Sequence, residues 1–417
     1  ARQNARAAGA PGLDSGLPGA GGGERPFTVL LEKLARRQDL AREEAARALE
    51  LIAEGLVGEN EIAAFLIALR TKGETAEEIA GLVDAMRSRV IAVPVGGVAT
   101  LVDVVGTGGD GLGTFNISTT AAFVVAGAGV KVAKHGNRGA SSRCGSADVL
   151  EALGVDLTLE PEEIAECIEQ VGMGFMLAPC HHPAAGRVAG VRRSLGVRTV
   201  FNFLGPLTNP AGVRRFLLGV SVPGYLPVIA EALARLGCEK ALVVSGHDGM
   251  DELAVTGPST LMEVREGQTS AAFTVEPCDY GLPRHPLCAI AGNDAERNAT
   301  ITRAILEGAS GAPRDAVLLN AGAALYVAGV CDSIRAGVEQ AAEVLDSGRA
   351  LAVLERLVAF TRRCGRRRSA PPDAQRPAMA GWQQSVPDGS QQSAAGGPQQ
   401  SAVDEPGGTG AGEEASH

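Results

Sequence analysis

Aromatic residues are scarce in this chain. Only 3% of its 417 residues are Phe, Trp or Tyr, with one Trp and three Tyr. That is too few for the stacked ring platforms that hold single-stranded nucleic acids. Lysine is rarer still, at five residues, and the formal net charge is −10. Such a balance offers no electrostatic grip on DNA, RNA or an anionic bilayer. No run of about 18 uncharged apolar residues occurs, so no membrane-spanning helix is expected. The eight cysteines include no CxxC pair, which argues against a zinc site. Scattered thiols in a chain of this length fit a reducing compartment. There is no Gly-Lys dipeptide, and this excludes a Walker A nucleotide loop.

What remains, 45% hydrophobic and 21% charged residues, is the balance of a globular enzyme with two or three domains. Residues 1–25 are rich in Ala, Gly and Arg and poor in acids. Their composition resembles the remnant of an organelle transit peptide, which points to the plastid stroma, or to the cytoplasm if the chain is bacterial. Residues 363–417 start basic and then become rich in Gln, Ser, Gly and Pro. They lack the apolar content to offset ordering entropy and read as a low-complexity tail. Between these ends the periodicity changes once. Over 26–93 apolar residues recur at helical spacing: Phe27, Leu30, Leu31 and Leu34, then Ala46, Leu49 and Ile52, then Ile62, Phe65, Leu66 and Leu69. Asp39 is placed to cap the second of these helices. Thr75 and Glu78 have capping-box spacing ahead of a fourth. Over 94–362 short β-branched runs (Leu101–Val105, Val130–Ala133, Arg215–Val220, Ala241–Val244) alternate with helical stretches. The expected architecture is α/β: a small N-terminal helical domain, then a larger domain with a mainly parallel sheet.

The densest chemical signal runs from Asp103 to Ser146. Gly106, Gly108 and Gly111 follow a strand and formally match G-x-G-x-x-G. A dinucleotide site also expects an acid about 20 residues further on, yet no Asp or Glu lies between Asp110 and Asp148. That stretch carries Lys131, Lys134, His135, Arg138 and Arg143 instead. A glycine-rich, acid-free, basic segment suits a heavily charged anion, because backbone N–H groups can reach its oxygens. Asn116, Ser118 and Thr119 stand where a helix would begin and offer unpaired N–H groups to the same anion. Lys134 follows a strand and is expected to project its charge into the crevice. Ser141 and Ser142 form a second polar loop before Ser146, a further N-cap candidate. The same glycines and serines also suit plain turns and helix caps. Asp251 and Glu252 follow the strand Ala241–Val244. Adjacent carboxylates there suit Mg²⁺ bridged to substrate phosphates, or else a solvated acidic turn. Arg192, in a helical stretch, could fork onto a carboxylate or sit at the surface. His181 and His182 are adjacent, point apart and have no third ligand nearby, so a structural role fits them better than metal binding.

Taken together, Asp103–Asp110 (DVVGTGGD), Thr114–Thr119 (TFNIST), Lys134–Arg138 (KHGNR), Arg192, Gly205–Pro210 (GPLTNP) and Asp251-Glu252 resemble the anthranilate phosphoribosyltransferases over roughly residues 26–360. The resemblance implies a nucleoside-phosphorylase-like fold, with a helical segment near 187–207 packing on the helical domain, and usually a homodimer. It implies transfer of the 5-phosphoribosyl group of 5-phosphoribosyl 1-pyrophosphate to the amine of anthranilate, with Mg²⁺ as cofactor and no nucleic-acid or membrane partner. Carried over by position, Gly106, Gly109, Asp110, Thr114, Asn116, Ile117, Ser118, Thr119, Lys134, Asn137, Arg138, Ser141, Ser142 and Ser146 would contact the phosphoribosyl donor. Ser118, Asp251 and Glu252 would hold Mg²⁺. Gly106, Asn137 and Arg192 would hold anthranilate. Lys134 would help neutralise the departing pyrophosphate, and His135 is the candidate to collect the proton of the amine. The alternatives are a pyrimidine nucleoside phosphorylase on the same scaffold and a non-catalytic nucleic-acid-binding paralogue.

Overall fold

The computed structural model describes residues 25–97, 100–139 and 143–369. The chain opens with four helices whose apolar stripes face one another. α1 (Pro26–Ala35) buries Phe27, Leu30 and Leu34 and starts on proline, whose fixed φ suits a first helical residue. α2 (Arg42–Ala53) buries Ala48, Leu49 and Ile52. Asp39 does not cap it. Ala41 holds the cap position, and Asp39 instead accepts from Lys72 Nζ at 2.7 Å. α3 (Glu59–Lys72) buries Ile62, Phe65, Leu66 and Leu69. α4 (Ala76–Arg87) begins with the reciprocal capping box, Glu78 N–H to Thr75 Oγ1 at 3.2 Å and Thr75 N–H to Glu78 Oε2 at 2.8 Å. The buried Glu78 carboxylate also accepts from Lys72 Nζ and from the N–H of Leu40, both at 2.9 Å. One capping residue thereby ties α3, α4 and the approach to α2 together.

The larger part runs β1 (Leu101–Gly106), α5 (Ile117–Gly127), β2 (Lys131–Gly136), α6 (Ser146–Ala152), α7 (Pro161–Val171), β3 (Met173–Leu177), α8 (Ala178–His181), α9 (Pro183–Leu195), α10 (Phe201–Leu207), β4 (Arg215–Gly219), α11 (Leu226–Arg235), β5 (Lys240–Gly246), β6 (Ser259–Arg265), β7 (Gln268–Thr269), β8 (Phe273–Val275), α12 (Ala295–Leu306), α13 (Ala312–Ala328), α14 (Ile334–Asp346) and α15 (Arg349–Ser369). The sheet order is β3-β2-β1-β4-β5-β6-β7, with β8 also on β6. The first five strands of that order are parallel and the rest antiparallel. From β1 the chain winds outward through β2 to β3, then returns beside β1 as β4 and winds the other way. The β1–β4 boundary is therefore the topological switch point, and the crevice for a ligand opens outside the carboxyl ends of these strands.

Two layers of core sandwich the sheet. Strand alternation sends Val102, Val104, Leu217, Leu242 and Val244 to the face covered by α5, α13 and α15. Phe216, Leu218, Ala241 and Val243 go to the other face, which is continuous with the core of α1–α4. α9 packs on α2 and α3, while α10 and α11 pack on α4. The N-terminal helices and one face of the sheet thus share a single apolar interior. At the far end, α15 runs past residue 362 to Ser369. Leu354, Leu357, Phe360 and Cys364 are all buried, so a helical stripe persists beneath the arginines whose charge suggested a tail. Residues 1–24 and 370–417 lie outside the described residues.

Helices α13 and α14 cross where neither tolerates a side chain. A Cβ on Gly337 would lie 2.2 Å from the Gly322 carbonyl oxygen, and one on Gly322 would lie 2.5 Å from Val338 N. Backbone on backbone cannot relax as a flexible side chain would. Gly337→Ala should therefore cost about 1–3 kcal/mol despite alanine's better helix propensity. The midpoint of thermal unfolding reads this out, and an unchanged midpoint would mean the helices separate at little cost.

Candidate active site

The crevice at the switch point is built on two glycines in register, Gly106 of β1 and Gly219 of β4. A Cβ at Gly106 would stand 2.2 Å from Asp251 Oδ2, and one at Gly219 would stand 1.5 Å from the Asp251 carbonyl oxygen. Their bareness lets the segment after β5 lie across the ends of β1 and β4. There Asp251 Oδ2 accepts the N–H of Gly108 at 2.6 Å, and Glu252 Oε1 accepts the N–H of Ser118 at 2.8 Å. Ser118 lies in the first turn of α5, which has no acid of its own there. Glu252 thus sits on unpaired helical N–H groups and the positive end of the helix dipole.

Among the described residues no Lys, Arg or His lies within ion-pair distance of Asp251 or Glu252. Burial pushes the Asp251 carboxyl up to about 6, and neighbouring Asp110 adds to the effect. Glu252 is raised well above the ordinary glutamate range, by burial first and by the charge of Asp251 second. Asp110 is itself raised by burial, and its Oδ1 accepts the N–H of Leu112 at 3.2 Å.

Lys134 does not follow β2; it lies inside it, and its side chain is buried. The ammonium donates to the Val104 carbonyl at 2.6 Å instead of projecting into the crevice. Burial lowers its pKa, opposed by the charges of Asp103, Glu252 and Asp251. Asp103 is also fully buried and pushed up to about 6, with Lys134 and Asn209 opposing the shift. Asn209 Nδ2 donates both to Asp103 Oδ2 and to the Ala133 carbonyl, each at 2.8 Å. His135, the expected proton acceptor, has both ring nitrogens engaged. Nδ1 lies 3.0 Å from the Gly205 carbonyl oxygen, and Nε2 lies 3.2 Å from Nε2 of His182. Burial takes it down to about 3, so it is neutral at pH 7. His181 Nδ1 lies 2.8 Å from the Ile91 carbonyl oxygen. These histidines join the sheet to α8 and α10.

The loop after β2 is closed by Asp148, whose Oδ2 accepts from the N–H groups of Gly139 and Gly145, both at 2.8 Å. Gly145 is therefore the residue before α6, and Ser146 is its first residue rather than its cap. Ser146 Oγ donates to the Asn137 carbonyl at 3.3 Å. Arg138 turns to Glu151 at 2.5 and 2.7 Å and to Asp148 at 3.2 Å. Ser141 and Ser142 lie outside the described residues. Asn116 caps α5, and its Oδ1 accepts from Asn298 Nδ2 at 2.9 Å. Ile117 is buried beneath it, and the buried Thr119 Oγ1 has no partner among the described residues. Thr114 pairs with Ala291 in an isolated bridge. Gly109 directs its carbonyl to Arg198. Arg192 stands apart on α9, half-buried, its guanidinium 5.5 Å from the Phe201 ring centre. No acceptor meets it among the described residues, and burial alone lowers its pKa. Arg198, Ser221 and Asn298 carry hydrogen bonds of this site without having been singled out for it. Arg198 stood in a run of arginines with nothing in its spacing to distinguish it.

The raised Asp251 carboxyl has a thermodynamic sign. The folded protein holds that proton up to about pH 6, the unfolded chain only to about 4. Stability attributable to this group therefore falls as pH rises between those values and stays low above them. Asp251→Asn keeps an oxygen for the Gly108 N–H and removes the charge. It should raise the stability of the metal-free protein at pH 7.5, by on the order of 1 kcal/mol or more, a gain that vanishes near pH 4. Equal denaturation midpoints for the two proteins at pH 7.5 would show that the charge costs nothing.

Two family models match the chain. The "Glycosyl transferase family, helical bundle domain" covers residues 28–90, and the "Glycosyl transferase family, a/b domain" covers residues 98–351. The anthranilate phosphoribosyltransferase of Rubrobacter xylanophilus is 54% identical over 334 residues, 80% of this chain and 97% of that protein. That of Desulfatibacillum aliphaticivorans is 49% identical over 81% of this chain and 100% of its own length. Among solved structures, the Thermus thermophilus enzyme of the same name superposes with a TM-score of 0.75 at 49% identity, covering 80% of this chain and 99% of that one. The Saccharomyces cerevisiae enzyme in complex with PRPP and Mg gives 0.74 at 30% identity, covering 81% and 98%. With two family models in tandem over the helical and α/β parts and relatives matched along nearly their whole length, this chain belongs to the anthranilate phosphoribosyltransferase family.

Proposed function

We propose that the crevice at the ends of β1 and β4 carries the family's reaction in the following way. The 5-phosphoribosyl group of 5-phosphoribosyl 1-pyrophosphate passes to the amine of anthranilate, a step of tryptophan synthesis. The bond from the anomeric carbon to pyrophosphate breaks, and a carbon–nitrogen bond forms. The observation that carries this reading is the buried, cation-free pair Asp251 and Glu252 beside the glycine loop and the start of α5. Two adjacent hard-oxygen donors held at an electrostatic cost fit a divalent cation such as Mg²⁺. Among the described residues no three His, Cys, Asp or Glu side chains cluster as a self-sufficient metal site. The Ser118 hydroxyl and substrate oxygens would complete the set, as is usual for a Mg²⁺ bound with phosphates. When bound, Mg²⁺ neutralises pyrophosphate charge as the bond to the ribose opens.

The chain's own residues position and stabilise. The start of α5 presents Ser118 to the donor, with the buried Thr119 hydroxyl, which has no partner among the described residues, directly behind it. Lys134 acts through its field, since its ammonium is committed to the Val104 carbonyl beneath the carboxylate pair. The amine is neutral at pH 7 and attacks without a base. His135 is uncharged with both nitrogens engaged, so it holds the β2 end in place and does not take the proton. Arg192, half-buried with no acceptor among the described residues, suits the carboxylate of anthranilate. The resemblance to the family also implies a homodimer. Sedimentation should then give twice the chain mass, and a monomer at micromolar concentration would count against it.

Loss of anthranilate fluorescence, followed with the phosphoribosyl donor and Mg²⁺ present, tests the activity. Turnover of thymidine or uridine with phosphate, and none of anthranilate, would reverse the assignment. Arg192→Ala should raise the KM for anthranilate about tenfold or more and leave the KM for the donor nearly unchanged. An unchanged KM for anthranilate would remove Arg192 from the site.

A further inference from the structure

Arg198 lies in the short link between α9 and α10, and its guanidinium reaches the glycine loop after β1. It donates to the carbonyl oxygen of Gly109 and to Ser221 Oγ, and at 3.4 Å to the carbonyl oxygen of Gly108. Ser221, just beyond β4, completes the grip. Its Oγ donates to the Gly108 carbonyl at 3.0 Å, and its N–H donates to Thr107 Oγ1 at 3.1 Å. Two successive carbonyls can converge on one guanidinium here because Gly108 and Gly109 have φ of +71° and +72°. A trans peptide carries its C=O and N–H on opposite edges. Where the carbonyls of Gly108 and Gly109 face Arg198, the N–H groups of Gly109 and Asp110 face away from it. Neither of those N–H groups has an acceptor among the described residues.

We propose that Arg198 is a positioning residue for the donor: by gathering the carbonyls of Gly108 and Gly109, it aims the N–H groups of Gly109 and Asp110 at the pyrophosphate. This rests on the function proposed above. The planar fork of arginine spans two carbonyls and a hydroxyl at once, whereas lysine supplies a single point charge. The charge of Arg198 also reaches Asp110 and Asp251, where it favours the ionised forms.

The test compares full-length wild type, Arg198→Lys and Arg198→Ala, with both substrates varied. Both variants should raise the KM for 5-phosphoribosyl 1-pyrophosphate about tenfold, keep the KM for anthranilate within about twofold and melt within a few degrees of wild type. Millimolar guanidinium should restore the donor KM of Arg198→Ala but not that of Arg198→Lys. A donor KM unchanged in both variants overturns the proposal. So does an equal rise in both KM values accompanied by a lowered melting temperature. If Arg198→Ala does not fold, Ser221→Ala removes the second holder and should raise the same KM about two- to fivefold. Titration calorimetry with the donor and Mg²⁺ on the same proteins separates the two readings. A wild type that binds the donor but leaves anthranilate unchanged overturns the assigned reaction, while the relative donor affinity of the variants still decides the role of Arg198.

Discussion

Two carboxylates buried side by side, with no ion-pair partner among the described residues, are the constraint around which this molecule is arranged. Among the described residues Asp251 and Glu252 are held by backbone N–H groups, one from the glycine loop and one from the start of α5. Such a pair is expensive in the absence of a partner ion, and the fold commits several features to keeping it. Gly106 and Gly219 are bare in register so that the acidic segment can cross the strand ends. Lys134 lies beneath as a buried positive charge, itself balanced by Asp103. A local cost of this kind is typical of a binding site whose ligand restores the balance.

The site stays rigid because every element bearing on it is tied to a second one. Asn209 links Asp103 to the Ala133 carbonyl of β2. His135 links β2 to α10 through Gly205 and to the end of α8 through His182. Asn298 on α12 holds the cap of α5, and Thr302 meets Thr120 one turn along each helix, at 2.9 Å. The helical part contributes no side chain to the carboxylate pair, yet it shares the interior on which β4, β5, α10 and α11 rest.

Most of the helical part and the parallel core of the sheet were legible from the residues, because their apolar periodicities match faces that are buried. The carboxyl half of β2 was not. Lys134 and His135 are polar residues in the buried part of a strand, and only their folded partners, the Val104 and Gly205 carbonyls and His182, show why they are there. β7 and β8 are only two and three residues long, pair antiparallel with β6 at the sheet edge, and are too short for alternation to show. α15 outlasts its expected end because its buried stripe continues under a basic surface. At the site, the motif residues were visible, but the direction in which each points was not. The stretch free of acids suggested open positive charge. In the fold, Lys134 is turned to a carbonyl and Arg138 to Glu151 and Asp148.

Helix α5 has a consequence beyond the crevice it opens onto. From Ile117 to Ala126 nearly every side chain is buried, so it has no solvent face and must be enclosed on all sides. Its enclosure comes from α13, α14 and α15, and Gly127 at its end abuts Val344 and Ala350. The residues that would meet substrate are all translated by position 252, but the wall behind them is not complete until the ribosome has released residues well past 350. A nascent chain of that length carries those residues on a helix whose apolar faces are still exposed to water, because α13, α14 and α15 are its cover.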